Sequence, residues 1–324
     1  MTDLPFVSII IPTYNREKYL SVTLDSFIGQ SYPKDRFEII ISNNNSTDNT
    51  QVVTDDYCSR FDNIKTIFEG RQGVHYARNS AAKAAKGDIL YFTDDDMIAD
   101  KDLLANLIKV FLMDYNVASA TGRVLPKWDA EPPKWILKYC NNYLLSLNDR
   151  DEKLIVSPSD IGVFSCHQAI LREAFFKSGG FNPENTAGEW VGDGETGLNI
   201  KIKELRYNFA FIGDSVIYHM IPPTRMTQSY LNKRLANQGN CDSYTAYRKY
   251  KYNNIQLVLQ IIKHLINIFA LLAGFIPRLI LTKYSWHLLV AQIYYNINRI
   301  KYDMRLIYDE QRRDLVLKDN WLEE

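Results

Sequence analysis

The sequence predicts an α/β protein: a doubly wound, mostly parallel sheet followed by a C-terminal helical extension. Three observations point there. Short apolar runs at Phe6–Ile11, Phe37–Ile41 and Ile89–Thr93 lack polar alternation, the pattern of strands buried on both faces. Segments of helical period separate these runs, and strand–helix alternation of this kind builds a parallel sheet. From Leu257 to Tyr308 the pattern changes to long helices, with Gly274 and Pro277 as the main breakers.

The first strand ends at Pro12. Glu17–Gln30 places Leu20, Leu24, Phe27 and Ile28 on one helical face. After the second strand, the polar turn Ser42–Asp48 leads into a helix from Thr50, with Asp48 as a candidate cap. Ile64–Phe68 reads as a third strand. Gly73 breaks the chain before an alanine-rich helix, Tyr76–Lys86, and Gly87-Asp88 opens the strand that ends in Asp94-Asp95-Asp96. Past Ala118–Ala120 the pattern loosens. Pro126, Pro132 and Pro133 mark Lys127–Trp135 as a surface loop, and polar turns recur from Ser157 through Gly197.

The 324 residues, 46% hydrophobic and 23% charged, suffice for a sizeable core. The net charge is zero, which gives no global electrostatic case for binding nucleic acid. Charge is unevenly spread, however: between Tyr244 and Arg305 the only acid is Asp303, against nine Lys and Arg. Cys58, Cys140, Cys166 and Cys241 show no paired metal-ligand spacing and read as reduced thiols. The first residues lack the basic and apolar regions of a signal peptide, so a cytoplasmic location is expected.

Asp94-Asp95-Asp96 is the motif that carries chemistry. Carboxylates at the C-terminal end of a buried strand lie where open α/β sheets bind ligands. Mg²⁺ or Mn²⁺ takes one or two carboxylates and fills its shell with water and phosphate oxygens. Alternate residues of an extended chain face the same way, so Asp94 and Asp96 are expected on one cation with Asp95 turned elsewhere. A solvated acidic loop is the competing reading.

Several motifs in order resemble the family 2 glycosyltransferases, inverting enzymes of the GT-A fold. They are Val7-Ser8-Ile9-Ile10-Ile11-Pro12-Thr13-Tyr14-Asn15, Asn45-Ser46-Thr47-Asp48, Ala77-Arg78-Asn79, Gly87-Asp88 and the triple Asp, then Gly179-Gly180-Phe181-Asn182 and Gly192-Asp193-Gly194-Glu195-Thr196. The resemblance spans residues 5–239. It implies a catalytic unit over 1–243, with a nucleotide-sugar half (1–117) and an acceptor half (118–243), and a helical region over 244–324. It implies that Pro12, Thr13, Tyr14, Asn15, Arg16, Asn43, Asn45, Asp48, Arg78, Asp94 and Asp95 hold a nucleotide sugar, UDP-sugar favoured. Arg225 and Arg234 are implied phosphate contacts from a segment closing over the donor. Asp94, Asp96 and His219, which ends Val216-Ile217-Tyr218-His219, are implied ligands of Mn²⁺ or Mg²⁺. The family usually has Asp where this chain has Asn43, which weakens the case for UDP because the uracil acceptor is then uncharged.

For the acceptor side the resemblance implies a general base, Asp193 ahead of Glu195, with Trp190 stacking on a sugar and Cys166 in the wall. The bland alternatives are a helix cap for Asp193 or Asp48 and a rim position for His219. A sugar-1-phosphate nucleotidyltransferase would show a glycine-rich basic loop after the first strand, where Pro12-Thr13-Tyr14-Asn15-Arg16 stands instead. A catalytically silent relative serving as a scaffold is disfavoured by the intact acids, and a processive polymerase by the absence of Gln-x-x-Arg-Trp.

In the tail, Leu265–Ile276 is strongly apolar but shorter than the roughly 20 residues of a spanning helix. Lys263 and Arg278 flank it, and Tyr284, Trp286, Tyr294 and Tyr295 follow. Two readings stay open: a helix lying in a membrane surface, or a helical hairpin packed on the catalytic unit or on a second copy of the chain. The first implies a lipid-linked glycan acceptor, as in bacterial surface polysaccharide synthesis.

Overall fold

The computed structural model describes residues 4–113, 115–139, 145–183, 193–276 and 286–323. Nine strands form one sheet: β1 (Val7–Thr13), β2 (Phe37–Asn43), β3 (Ile64–Phe68), β4 (Ile89–Thr93), β5 (Met97–Ala99), β6 (Val117–Trp128), β7 (Leu154–Ser157), β8 (His167–Leu171) and β9 (Asn208–Ile221). Their order is β3-β2-β1-β4-β8-β6-β9-β5, and β7 also pairs with β9. The β3-β2-β1-β4 half is parallel throughout. β8 joins β4 antiparallel, and the long β9 runs parallel to β6.

The predicted strands are buried on both faces for the reason the sequence suggested. Val7, Ile9 and Ile11 of β1 enter one core cluster while Ile10 between them enters the other. Helices α1 (Leu20–Ile28), α2 (Thr50–Arg60), α3 (Val74–Ala84), α4 (Leu103–Ile108), α5 (Lys134–Tyr139), α6 (Arg172–Lys177) and α7 (Gly194–Glu204) complete the α/β part. The expected loop over Lys127–Trp135 is partly regular: β6 reaches Trp128 because it pairs with β9 up to Ile221, and α5 begins at Lys134.

The glycine-rich turn after α6 is fixed from two sides. Gly179 and Gly180 both have φ above 70°, a conformation costly for any side chain. The Asn79 side chain then bridges the backbone of Phe181, with Nδ2 donating to its carbonyl (2.8 Å) and Oδ1 accepting from its N–H (3.0 Å). Phe181 itself packs against Phe92 and Phe175 and stacks on His75 at 5.0 Å.

The C-terminal part is helical: α8 (Gln228–Tyr250), α9 (Asn254–Ala273), α10 (Trp286–Tyr308) and α11 (Glu310–Val316). The boundary expected after residue 243 lies inside α8, which is continuous there. α8 and α10 approach closely at Gly239, where an added Cβ would overlap the Tyr295 carbonyl. Tyr244, Tyr247, Leu257, Tyr302, Leu306 and Val316 form a third core cluster. α9 has 20 residues and starts well before the apolar run singled out in the sequence, so by length and composition alone it could cross a membrane. A capping box between Asn253 and Gln256 sets that earlier start.

Asn79→Ala leaves two buried backbone groups of Phe181 without partners, each costing about 1–3 kcal/mol. The variant is expected to lose stability by about that amount in urea unfolding; a change below about 0.5 kcal/mol, the range of neutral surface changes, would show that the bridge is dispensable.

Candidate active site

The C-terminal ends of β1 and β4 open into a cleft of about 460 Å³. Pro12, Thr13, Tyr14 and Arg16 line it on one side with Asn44 and Gln72, and Asp94, Asp95 and Asp96 line its floor. The N-terminal ends of α3 and α7 bring His75, Arg78, Asp193 and Glu195, and the middle of α8 brings Arg234, Asn237, Gln238 and Cys241.

The acidic motif does not continue β4 in extended form. Asp95 and Asp96 form a turn into β5, and each of the three carboxylates has its own arginine partner. Asp94 turns to Arg78, whose Nη2 donates to it at 2.5 Å. Asp95 meets Arg16 Nε at 3.3 Å. Asp96 accepts from Arg225 Nη2 at 2.7 Å, with Arg16 Nη2 at 3.7 Å. Asp94 and Asp96 thus line the same cleft with different arginine partners. Burial and the neighbouring Asp96 charge push the Asp95 carboxyl above the usual carboxylate range. Burial would raise Asp96 as well, but His219, Arg225 and Arg16 outweigh it and hold that carboxyl low.

His219 reaches the motif through strand register. β5 pairs antiparallel with β9 so that Met97 lies opposite His219, and the Met220 N–H donates to the Asp96 carbonyl at 2.9 Å. The imidazole Nε2 lies 3.7 Å from Asp96 Oδ1. Nδ1 lies 2.8 Å from the Leu145 carbonyl, and Nε2 faces the Arg225 guanidinium, which can only donate. Those two contacts assign the proton to Nδ1 and a lone pair to Nε2. A ring oriented by a carbonyl in this way is the usual setting of a metal-binding histidine. Among the described residues no three His, Cys, Asp or Glu side chains converge at metal-holding distance. Asp96 and His219 make a two-residue donor set of carboxylate and imidazole, which suits Mn²⁺.

The loop residues divide in two. Pro12, Thr13, Tyr14 and Arg16 line the cleft, whereas Asn15, Asn43, Asn45 and Asp48 do not. Asn15 takes φ of 54° and its Oδ1 accepts from the Thr47 N–H at 2.8 Å. Asp48 accepts from the Thr50 and Glu17 N–H groups at 3.0 and 3.3 Å. Asn43 Oδ1 accepts from the Ser46 N–H and its Nδ2 donates to Gln51, so its amide is committed within the turn rather than offered to a base. These residues tie the two loops together and shape the cleft from behind.

On the opposite wall, Asp193 is the first residue before α7, and 5% of it is exposed. Its Oδ1 accepts from Asn182 Nδ2 at 3.3 Å, and the same amide donates to the Tyr244 hydroxyl at 2.7 Å. A Cβ at Gly197 would overlap the carboxylate, so the side chain lies folded back on its own helix. Burial raises its pKa, against the charges of Arg248 and Lys201. Glu195, one turn position on, is half-buried; its carboxylate accepts from Ser165 Oγ at 2.9 Å. Cys166 lines the cleft with a thiol that burial keeps protonated. Arg234 donates to Ser146 Oγ at 3.4 Å. Trp190 lies outside the described residues. His75, Ser146, Phe164, Ser165, Asn237 and Gln238 line the cleft without having been singled out in the sequence. Most lie in segments whose placement depends on long-range packing rather than on a local motif.

A family model described as "Glycosyl transferase family 2" matches residues 8–180, more than half of the chain. The chain belongs to glycosyl transferase family 2. Among curated relatives, a dolichyl N-acetyl-alpha-D-glucosaminyl phosphate 3-beta-D-2,3-diacetamido-2,3-dideoxy-beta-D-glucuronosyltransferase of Methanococcus voltae is 36% identical over 108 residues, covering 33% of this chain and 34% of the relative. A poly(ribitol-phosphate) beta-glucosyltransferase of Bacillus spizizenii is 38% identical over 103 residues, covering 30% of this chain and 16% of the relative. This glycosyltransferase thus spans about a third or less of the length of those relatives. Among solved structures, mannosyltransferase PcManGT from Pyrobaculum calidifontis, in complex with GDP-Man and Mn²⁺, matches with a TM-score of 0.64 and 22% identity, covering 95% of this chain and 89% of that one. That likeness shows the fold, GT-A with a helical C-terminal part.

Proposed function

We propose that this glycosyltransferase moves a sugar from a nucleoside diphosphate sugar to a hydroxyl of a glycan acceptor, with inversion at the anomeric carbon. One observation carries the reading: a single cleft has Asp94, Asp95 and Asp96 on its floor and Glu195 on a wall, with the buried His219 beside Asp96 just outside the lining. The two-residue donor set, with its oriented imidazole, fits Mn²⁺ or Mg²⁺. Such an ion, when bound, supplies positive charge to the leaving diphosphate. Arg16 and Arg225 add further positive charge there.

The carboxylate that takes the acceptor's proton must reach the substrate. Glu195 meets that condition better than Asp193, which lies folded against Gly197 with 5% exposure. Glu195 accepts the proton as the hydroxyl oxygen bonds to the anomeric carbon and the bond to the diphosphate oxygen breaks. Asp193, held by Asn182, supports the start of α7 from beneath. This reverses the order the sequence favoured. Ser165 donates to Glu195 and so orients it.

The UDP preference loses its support from Asn43, and the Pyrobaculum neighbour holds GDP-Man, so the donor is proposed as UDP- or GDP-sugar. The name of the Methanococcus relative specifies a dolichyl-phosphate-linked acceptor, and that of the Bacillus relative a poly(ribitol-phosphate). Both support an acceptor that is a lipid-linked or polymeric glycan.

The outward face of α9 supports the lipid-linked form. Ile255, Leu259, Ile262, Ile266, Phe269 and Leu272 lie 45–74% exposed along it, while Leu257 and His264 face the packed side. No acidic residue occurs between Asn254 and Tyr302. A symmetric second copy on this face would bring basic helices together, whereas an anionic lipid surface complements both the apolar stripe and the charge. We therefore propose that α9 rests on a membrane surface.

Thermal unfolding with UDP and GDP, with and without Mn²⁺, is expected to show one nucleotide stabilising the protein in a metal-dependent way, by about 2.7 kcal/mol at 100 times its Kd. Asp96→Ala should abolish the metal dependence; its persistence would remove Asp96 from the site. Glu195→Gln should keep nucleotide binding and lose about 10²–10⁴-fold in transfer. A larger loss in Asp193→Asn, with binding intact, would move the base to Asp193. Sedimentation with anionic vesicles should carry down the wild type but not Ile266→Glu/Phe269→Glu, and equal partitioning of the two would exclude α9 as the contact.

A further inference from the structure

We infer that Arg225 is a built-in counter-cation: its guanidinium holds the place at Asp96 and His219 that a divalent cation takes, and it gives that place up to the phosphates of the donor. The inference rests on the reading of the cleft as a metal-assisted donor site.

The geometry is specific to this side chain. Arg225 Nη2 donates to Asp96 Oδ2 at 2.7 Å, and Nη1 donates into the Nε2 lone pair of His219. One planar fork therefore occupies both atoms of the donor set at once. A divalent cation bound to the same two atoms would meet the guanidinium at contact distance, and two positive groups cannot share that position. Metal and Arg225 exclude each other at Asp96.

Arg225 is placed so that it can leave. It closes a short 3₁₀ turn, Pro223–Arg225, between the end of β9 and the start of α8. Its backbone N–H bonds only locally, to the Pro222 carbonyl at 3.0 Å, and α8 begins with its own cap at Thr227. Swinging the side chain disturbs neither the β9 register that holds His219 nor the cap of α8. Arg225 lines the cleft, so the guanidinium can turn to a diphosphate there without crossing the core. A bidentate guanidinium–phosphate pair replaces the bonds given up at Asp96 and His219.

The consequence is thermodynamic coupling. In the free protein the fraction of molecules with the donor set open is small, and the apparent affinity for metal alone is reduced by that fraction. A nucleoside diphosphate that engages Arg225 raises the fraction. Metal and nucleotide then strengthen each other's binding by the same factor, and couplings of this type run about 5–150-fold. The site would thus stay closed to free cations and load metal and donor together.

The test is direct Mn²⁺ binding, followed by the electron paramagnetic resonance signal of free Mn²⁺, on wild type and Arg225→Ala, each with and without UDP or GDP. Wild type should bind Mn²⁺ alone weakly and about 5–150-fold more tightly with the nucleotide. Arg225→Ala should bind Mn²⁺ alone at least about fivefold more tightly than wild type, with the nucleotide adding little. If the alanine variant does not fold, Arg225→Gln, neutral and of similar reach, carries the same expectation. Equal or weaker Mn²⁺ binding by the variant, with wild type still binding metal and nucleotide together, would overturn the counter-cation role and leave the donor site standing. Failure of wild type to bind Mn²⁺ even with nucleotide would overturn both.

Discussion

Asp95 and Asp96 occupy a buried turn side by side, and two adjacent carboxylates out of water cannot both stay charged unless cations meet them. The cleft is organised around that constraint. The charges come from three distant parts of the chain: Arg16 from the loop after β1, Arg225 from the turn after β9, and Arg78, on the neighbouring Asp94, from α3. Asp95 takes the unfavourable share, with its carboxyl pushed up, while Asp96 keeps its charge. The proposed metal and phosphate binding rests on this acidic turn and the arginines gathered at it.

The rest of the architecture serves this turn. β1 and β4 deliver it to the open end of a sheet whose strands are buried on both faces. The short β5 returns from it along β9, and that pairing brings His219 beside Asp96. On the other wall the Gly179–Gly180 turn, held by Asn79, leads to Asn182, which anchors Asp193 under the start of α7 and so fixes Glu195 over the cleft. The middle of α8 lines the cleft, and α10 packs along α8 from Gln228 to Ser243 and in turn carries α9. The apolar outer face of α9 is thereby linked to the cleft through packed helices rather than through a flexible connection.

What the sequence made legible follows physical range. The parallel strands were readable because burial on both faces removes polar alternation locally, as in Phe6–Ile11. The acidic motif was readable by type and position. Its backbone was not, because a turn at Asp95-Asp96 takes the place of the extended chain, and the arginines that meet each carboxylate come from distant segments. Asn15, Asn43 and Asp48 make hydrogen bonds within and between the loops, contacts that the sequence pattern does not reveal. The proposed preference for Glu195 over Asp193 rests on Gly197 and Asn182 packing against one carboxylate, contacts that no spacing rule encodes. His219 was singled out by the resemblance, whereas its contact with the Leu145 carbonyl belongs to the tertiary fold. The helix α9 was underestimated because its first turns, Asn254–His264, mix Gln, Lys and His into an apolar pattern.

The most direct test of the account is a crystal structure with the stabilising nucleotide and Mn²⁺, read by the anomalous scattering of manganese. The account predicts one manganese peak bonded to the Asp96 carboxylate and to Nε2 of His219, with the diphosphate beside it and the Glu195 carboxylate across the cleft. Manganese held elsewhere, or a diphosphate bound in the cleft at saturating Mn²⁺ with no metal at Asp96, would contradict it.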